Sequence, residues 1–569
     1  MKKFFVFMLV AALVLGLVAC STPGGAEKTE GTAKPDSEET EPAEVTEPDE
    51  TDAPDDEPDE PATDVDKILR YALTADPESF DPSKAHGIPS ATICYHIYEG
   101  LYRDVDGDLQ PACAENYDVA DDQVTYTFYL RDDIKWSDGE PVTANDFEYG
   151  IKRFLDPETA APMGYMGTVI KNGAKVSAGE LPLDDAGIKA IDEKTLEIVL
   201  ESPADYFLSM LSKSFFAPQR KDVVEEFGQD YCAKPENQVY NGAFMVTEFG
   251  EGKIAATKNP YYHEIDKIKL DGFEVLTVKE PNTQLAMFEN GELDFVTLST
   301  DIAPNYADRS KSYFDGAVDF GGPNLNNKYL ANKDLRLALN YALNREEYIL
   351  LSHNGLYTPD LRYVMPKVHG VDGDYGTEYP LEAYPLQGDL DMAKDYLDKA
   401  MAELGLTDPS EISLKMVVTD SDSAKKEAEV LQNQWQTNLG IVVEINLVPY
   451  ATKNSMLTPN NDEFDIILSG WVADYPDPYS YLELFHSESA YNYVNYKSEE
   501  FDKYLDASQE TSGKERMDNL FNAEKVLLED GAVIPQQLRE VQYLEADGLT
   551  GLMGYFVGIN FNYLYADKN

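Results

Sequence analysis

Residues 21–66 restrict the fold of this 569-residue chain more than any other segment, because they cannot form a folded domain. They contain eighteen Asp or Glu and seven Pro but no aromatic residue. Such a segment has too little apolar surface to offset the conformational entropy that is lost on ordering. We predict a disordered acidic stalk at 21–66, with an r.m.s. span of about 35–40 Å for a flexible chain of this length. The hydrophobic core must therefore come from residues 67–569.

The N-terminal residues 1–20 have the pattern of an exported lipoprotein. Two lysines precede a mostly apolar run, residues 4–19, which ends at Leu17-Val18-Ala19-Cys20. This run falls short of the roughly 20 apolar residues that span a hydrocarbon core, and it indicates a secretory signal peptide. Its end resembles a bacterial lipobox, which implies that Cys20 is acylated and anchors the mature protein to the outer face of the cytoplasmic membrane. An ordinary cleavable signal peptide is the alternative.

The charge of the chain bears on its partners. The formal net charge is −59 at pH 7. Nucleic-acid binding depends on Lys and Arg that neutralise phosphates, so we expect no nucleic-acid partner. The acidity favours cationic or zwitterionic ligands, although acidity that only keeps an exported protein soluble explains it as well. The length beyond the stalk is enough for about two to four domains.

Cysteine and histidine patterns predict neither a metal site nor a bound cofactor. Beyond Cys20 there are only Cys94, Cys113 and Cys232, and none has CxxC spacing. A Cys94–Cys113 disulfide is possible in an oxidising compartment, and buried free thiols are the alternative. The six histidines form no HxH or HxxxH pair.

Partial catalytic motifs each fail at a required position. His263-Glu264 would need a second histidine at 267, which is Lys267. The acidic positions 104, 106 and 108 match the start of a calcium-binding EF-hand loop, but Leu109 replaces the glycine of its turn. We instead predict a hairpin turn at Asp106-Gly107. We expect a binding protein and not an enzyme, with an enzyme whose catalytic groups meet only in space as the alternative.

Hydrophobic periodicity predicts a mixed α/β domain structure. Period-two patterns predict strands at 67–73, 124–130, 195–200, 273–278, 414–418, 442–448 and 464–468. Three- and four-residue spacing predicts helices at 334–351, 391–404, 423–439 and 514–528. A further helix is predicted from Thr143 to Phe154, with Thr143 as its N-cap and Asp146 at position N3.

Segments across the globular chain resemble one family, the family-5 extracellular solute-binding proteins that deliver peptides, dipeptides or nickel to ABC importers. The N-terminal half carries Phe80-Asp81-Pro82, Tyr98-Glu99-Gly100-Leu101, Lys135-Trp136-Ser137-Asp138-Gly139 and Pro141-Val142-Thr143-Ala144-Asn145-Asp146-Phe147. Further along come Asn241-Gly242-Ala243-Phe244, Lys258-Asn259-Pro260-Tyr261-Tyr262, Asn290-Gly291-Glu292-Leu293-Asp294, and Gly470-Trp471-Val472-Ala473-Asp474-Tyr475.

The resemblance implies an α/β periplasmic-binding-protein fold of type II, with two lobes, an extra small domain and a ligand cleft between the lobes. Lobe I would comprise residues 67–102, 200–320 and 526–569, the small domain 103–199, and lobe II 321–525. Hinge rotation would close the cleft over the ligand, and the closed protein would dock on an ABC permease in the membrane. We expect a monomer.

The resemblance also implies the ligand-binding residues. In the family's peptide binders an extended peptide pairs its backbone with protein strands. The matching segments are Gly470, Trp471 and Val472 on one lobe and His86, Gly87 and Ile88 on the other. Asp474 would hold the peptide's α-ammonium group, and Tyr165 would approach from the small domain. A turn or helix-cap role is the alternative for Asp474.

Two departures limit the comparison with oligopeptide binders. Leu468 stands where an arginine can hold a peptide carboxylate, and Val472 stands where those proteins have a disulfide cysteine. Recognition of a free C-terminus and a strict peptide length are therefore not implied. The alternatives are another solute in the same fold (nickel chelate, haem or a sugar), a surface receptor or adhesin, and a secreted hydrolase.

Overall fold

Residues 67–105 and 108–569 are described by a computed structural model. The predicted signal peptide, Cys20, the predicted stalk and the predicted turn at Asp106-Gly107 lie outside these residues. Strands and helices are numbered below in chain order.

Two four-stranded sheets form from the first part of the described chain. One contains, in spatial order, β1 (Ile68–Leu73), β10 (Gly272–Thr277), β9 (Lys253–Lys258) and β8 (Phe244–Gly250). The other is antiparallel and contains β4 (Ala114–Val119), β5 (Thr125–Leu130), β7 (Thr195–Val199) and β6 (Ile188–Ala190). The hairpin of β2 (Tyr102–Val105) and β3 (Asp108–Pro111) connects to this second sheet along the chain.

A seven-stranded sheet contains most of the later strands. Its spatial order is β11 (Phe295–Leu298), β17 (Ile534–Glu545), β12 (Lys311–Pro323), β16 (Ile466–Val472), β14 (Ser413–Thr419) and β15 (Val442–Val448), with β13 (Thr358–Pro359) paired to β17. Two short pairs near the C-terminus join β18 (Leu549–Thr550) to β21 (Asp567–Lys568) and β19 (Met553–Gly554) to β20 (Phe561–Asn562).

The helices pack around these sheets. Those of the first part are α1 (Ile88–Ile97), α2 (Ala144–Leu155), α3 (Gly173–Ser177), α4 (Phe207–Met210), α5 (Lys221–Phe227) and α6 (Pro281–Glu289). The later ones are α7 (Lys333–Tyr341), α8 (Arg345–His353), α9 (Tyr375–Glu378), α10 (Leu390–Leu404), α11 (Asp422–Leu439), α12 (Tyr450–Met456), α13 (Tyr479–Leu482), α14 (Glu499–Glu510) and α15 (Gly513–Glu529).

Local sequence explains many of these elements. In β1 every second residue is buried, which gives the half-buried face that the alternation predicts. Helix α2 begins where expected, because the Asp146 carboxylate accepts hydrogen bonds from the Thr143 backbone N–H at 2.9 Å and from its hydroxyl at 3.0 Å. The predicted strands and the helices at 391–404, 423–439 and 514–528 are confirmed to within a few residues.

The single helix predicted at 334–351 is wrong, because the structure has the two helices α7 and α8 there. Asn344 caps α8 by accepting a hydrogen bond from the Glu347 N–H at 3.0 Å. The buried Arg345 side chain donates to the Pro535 carbonyl at 2.8 Å, and Asn340 donates to the Val533 carbonyl at 3.1 Å. These contacts hold the helix break against β17, which hydrophobic periodicity alone does not reveal.

The predicted strand at 464–468 begins later and extends further, since β16 runs to Val472. The three described cysteines are buried free thiols, so Cys94 and Cys113 are not bridged. The thiol of Cys113 instead lies 3.6 Å from the Glu99 carbonyl, and that of Cys94 lies 3.8 Å from the Phe80 carbonyl.

Candidate ligand-binding site

Strand β16 has one edge that is only partly paired. On one side it pairs with β12 over its whole length, from Ile466 opposite Pro323 to Val472 opposite Ala317. On the other side its pairing with β14 stops at Ile467. Among the residues that the structure describes, no strand pairs with this side of 468–472, which we call the open edge.

The direction of the backbone groups follows from strand alternation. The Ala473 N–H donates to the Gly316 carbonyl of the segment within β12, at 3.3 Å. Backbone groups of alternate residues point to opposite sides of a strand, so those of Gly470 and Val472 point to the open edge. The Leu468 carbonyl also lies on this edge, where it accepts a hydrogen bond from the Lys453 ammonium group at 3.0 Å. Both Gly470 and Val472 are solvent-exposed, so an added strand has access to them.

Trp471 is held in place beside the open edge. Its indole N–H donates to the Ser480 carbonyl at 2.7 Å, and its ring centroid lies 5.6 Å from that of Tyr491. The side chain is half-buried, and it points to the face of the sheet opposite to that of Gly470. Trp471 therefore offers a fixed aromatic wall on one face of any strand that is added to the open edge.

Asp474 lies two residues beyond the end of β16 and contacts Tyr165. The Tyr165 hydroxyl donates to Asp474 Oδ2 at 3.1 Å, across 309 residues of sequence. The Asp474 N–H donates a hydrogen bond to the Ser480 hydroxyl oxygen at 2.9 Å, which fixes the backbone at Asp474. Burial raises the pKa of the Asp474 carboxyl, while the Tyr165 hydrogen bond and the Lys213 charge act to lower the pKa. This carboxylate is therefore costly to ionise and would gain from a cationic ligand group.

The segment containing His86, Gly87 and Ile88 is not a strand. Gly87 is the N-cap of α1, and Ile88 is the first helical residue, with 42% of the residue exposed. A β-carbon added at Gly87 would lie 2.1 Å from Glu78 Oε1, so a side chain there would require the Glu78 carboxylate to move. No hydrogen bond links these three residues to Asp474 or to the open edge within 67–105 and 108–569, and their role in binding stays a prediction.

Tyr206 packs against the loop that follows Asp474, a contact that sequence reasoning did not predict. Its ring stacks on Tyr475, with centroids 4.3 Å apart and an interplanar angle of 13°. The Arg516 guanidinium lies 5.3 Å from the Tyr206 centroid and forms two 2.8 Å hydrogen bonds to Asp477. Neighbouring Asp205 accepts the Gly513 N–H at 2.7 Å. No local motif marks these contacts, because the residues are far apart in sequence.

A cavity of about 1000 Å³ lies beyond Tyr206 and Asp477. None of the eight predicted ligand-binding residues lines it. Lys213 is one of the residues that line the cavity, and its ammonium group donates a hydrogen bond to the Val557 carbonyl at 2.6 Å. Burial lowers the pKa of Lys213 to about 8, although the charges of Asp104 and Asp474 act in the opposite direction. The open edge and Asp474, which carry the groups that can recognise a ligand backbone, do not line this cavity.

Two further findings concern metals and membranes. Within 67–105 and 108–569, no three His, Cys, Asp or Glu side chains lie together as metal ligands would. None of the helices in the same residues has the length and apolar character required to cross a membrane.

Comparison with known proteins identifies the family. The model of the bacterial extracellular solute-binding proteins, family 5, middle region, matches residues 108–493. This chain belongs to that family. Family 5 is the one indicated by the sequence motifs, so the resemblance is confirmed.

The relatives of this family-5 protein match it over most of its length. The oligopeptide-binding protein OppA of Bacillus subtilis is 29% identical over 497 residues, which cover 85% of this chain and 90% of that protein. The dipeptide-binding protein DppE of Bacillus subtilis is 30% identical over 522 residues, which cover 90% and 94%. The solved structure of Listeria monocytogenes OppA bound to peptide matches with 30% identity and a TM-score of 0.69, covering 89% of this chain and 99% of that one. The predicted α/β fold of a two-lobed periplasmic binding protein is confirmed.

The packing of Tyr206 on the 473–480 loop generates a prediction. In Tyr206→Ala the protein loses the aromatic stack on Tyr475 and the cation–π contact with Arg516, each worth about 0.5–1.5 kcal/mol. We expect a fall in the free energy of unfolding of about 1–3 kcal/mol and faster hydrogen exchange of the backbone amides in 473–480. Tyr206→Phe retains the stack and serves as the control. Unchanged exchange in Tyr206→Ala would show that Tyr206 does not support the loop.

Proposed function

We propose that this family-5 protein captures peptides with a free amino terminus and delivers them to an ABC permease. The observation that carries this proposal is the open edge of β16, with Asp474 two residues beyond its end. A peptide lying along the edge could pair with the backbone groups of Gly470 and Val472, in the manner of strand addition. Each such hydrogen bond contributes about 0.5–1.5 kcal/mol without depending on side-chain identity.

Asp474 gives the peptide its direction. The charge-assisted bond between its carboxylate and an α-ammonium group is stronger than a neutral hydrogen bond. Because Asp474 follows Val472 in the chain, a peptide with its amino terminus there runs towards Leu468, antiparallel to β16. Tyr165 would close the site beside the ammonium group, and His86, Gly87 and Ile88 would contact the other side of the peptide. The names of OppA, DppE and peptide-bound Listeria OppA agree with this choice of ligand.

The remaining parts of the proposal concern architecture and location. Lobe I comprises 67–102, 200–320 and 526–569, with 103–199 as its small domain, and lobe II comprises 321–525. The strands β12 and β17 have a shift in register between Phe314 and Val318, and this irregularity close to residue 320 supports a crossing between the lobes in this region. The protein acts as a monomer without a catalytic step, and Cys20 and the stalk tether it near its permease at high effective concentration.

Capture of the amino terminus is tested with Asp474→Asn. We expect wild-type protein to bind an alanine tetrapeptide about 10- to 100-fold more tightly than its amino-acetylated form, because acetylation removes the charge-assisted bond. In Asp474→Asn this difference should shrink to less than about threefold. Isothermal titration calorimetry measures both affinities, and Asp462→Asn, an exposed carboxylate on the loop before β16, is the matched control. Equal affinities in the wild type would refute the role of Asp474.

Tethering through Cys20 is tested by labelling cells with radioactive palmitate. We expect label on the wild-type protein and none on Cys20→Ala, with the variant's peptide affinity unchanged after purification. Label that persists in Cys20→Ala would exclude a lipid anchor at this residue.

Native mass spectrometry of freshly purified protein distinguishes a retained peptide from a nickel chelate, haem or a sugar.

A further inference from the structure

A group of charged side chains lies on one face of the sheet beside Gly470. Asp319 of β12 is the cross-strand partner of Gly470. A β-carbon built on Gly470 would lie 2.1 Å from Asp319 Oδ1. The carboxylate of Asp319 therefore extends over the space that a side chain at 470 would fill, and reaches towards the open edge.

The negative charge of the Asp319 carboxylate is only partly offset by neighbouring donors and cations. Its Oδ2 accepts a hydrogen bond from the Gln537 amide at 3.0 Å. Burial raises the pKa of Asp319, although the charge of Arg539 and the Gln537 hydrogen bond act to lower the pKa. Arg539 is itself paired with Asp315, with its guanidinium 2.7 Å and 2.8 Å from Asp315 Oδ2.

Glu427 supplies a second carboxyl group from α11. Burial raises the pKa of Glu427 to about 8, and the negative charge of Asp319 adds to this effect. The nearest imidazole, that of His353, lies 3.6 Å away, which is too far for a hydrogen bond. Burial lowers the pKa of His353 to about 4, so this ring is neutral at pH 7 and does not balance Glu427.

Among the residues of 67–105 and 108–569, Lys453 is the cation whose charge acts on both Asp319 and Glu427. Its ammonium charge lowers the pKa values of Asp319 and Glu427. The ammonium group also donates to the Leu468 carbonyl, which keeps it at the end of the open edge. At pH 7 the pKa of about 8 leaves the Glu427 carboxyl mostly protonated, and a cation placed beside Asp319 and Glu427 would favour its ionisation. The space beside Gly470 therefore has the chemistry to accept one more cation.

We propose that this space is a side-chain pocket that selects lysine or arginine at one position of the bound peptide. The proposal rests on the proposed function, since it requires a peptide strand on the open edge. Side chains of a strand alternate between the two faces of a sheet, so only the peptide residue opposite Gly470 shares its face. That residue directs its side chain to Asp319 and Glu427, while its neighbours face the side of Trp471.

The test is a positional scan with alanine pentapeptides that carry a free amino terminus. Lysine, uncharged norleucine or glutamate is placed at one position at a time, and calorimetry at pH 7 and fixed salt gives the affinity. We expect one position at which lysine binds about 10- to 100-fold more tightly than glutamate. Norleucine at that position should fall between them, and the positions next to it should show differences below about threefold.

Substitutions test which residues cause the preference for lysine. Asp319→Asn retains the acceptor for Gln537, and we expect it to reduce the lysine preference about tenfold while the all-alanine peptide binds as in the wild type. Glu427→Gln should act in the same direction. Glu429→Gln removes an exposed carboxylate from the same helix and should change nothing.

Other outcomes overturn the proposal. Equal affinities for lysine and glutamate at every position would do so, and a preference for glutamate would show that Lys453 determines selectivity. A lysine preference that survives in both Asp319→Asn and Glu427→Gln would place the pocket elsewhere. Failure of the all-alanine peptide to bind the wild type would overturn peptide capture itself, and the pocket with it.

Discussion

The unequal pairing of β16 is the constraint on which the site depends. Its inner part is fixed between β12 and β14, whereas 468–472 pairs with β12 alone. The Lys453 ammonium group donates a hydrogen bond to the carbonyl of Leu468, the residue after the last one that pairs with β14. An exposed strand edge usually favours unwanted association. Here pairing with β12 along the whole of β16 holds this edge in an extended conformation, so a ligand strand does not have to order it.

Groups near this edge carry energetic costs that a ligand could offset. Burial raises the pKa of Asp474, so its contribution to stability is present below the unfolded-state pKa and is lost as the pH rises through the folded-state pKa. Asp319 and Glu427 follow the same rule, because burial raises their pKa values as well. At neutral pH the unliganded protein therefore keeps carboxyl groups in places where ionisation is unfavourable. Tyr206, stacked on Tyr475, helps to hold the loop that contains one of them.

Local patterns predict the elements that are determined locally. The alternation of β1 and the Thr143–Asp146 capping interaction of α2 follow directly from neighbouring residues. The break between α7 and α8 could have been predicted from Asn344 and the acidic residues after it, since that pattern is typical of a helix start. The stack of Tyr206 on Tyr475 and the group around Asp319 could not have been predicted from local sequence. They join residues over 200 positions apart or depend on strand register. Tyr165 and Asp474 were paired only through the family resemblance.

The most direct test of strand addition is residue-level hydrogen exchange with and without saturating peptide. The account predicts that the amides of Gly470 and Val472 slow by about tenfold or more, because they gain ligand carbonyls as acceptors. The amides of Ser469 and Trp471, which face β12, should change little. Unchanged exchange at Gly470 and Val472 with bound peptide would contradict pairing at the open edge.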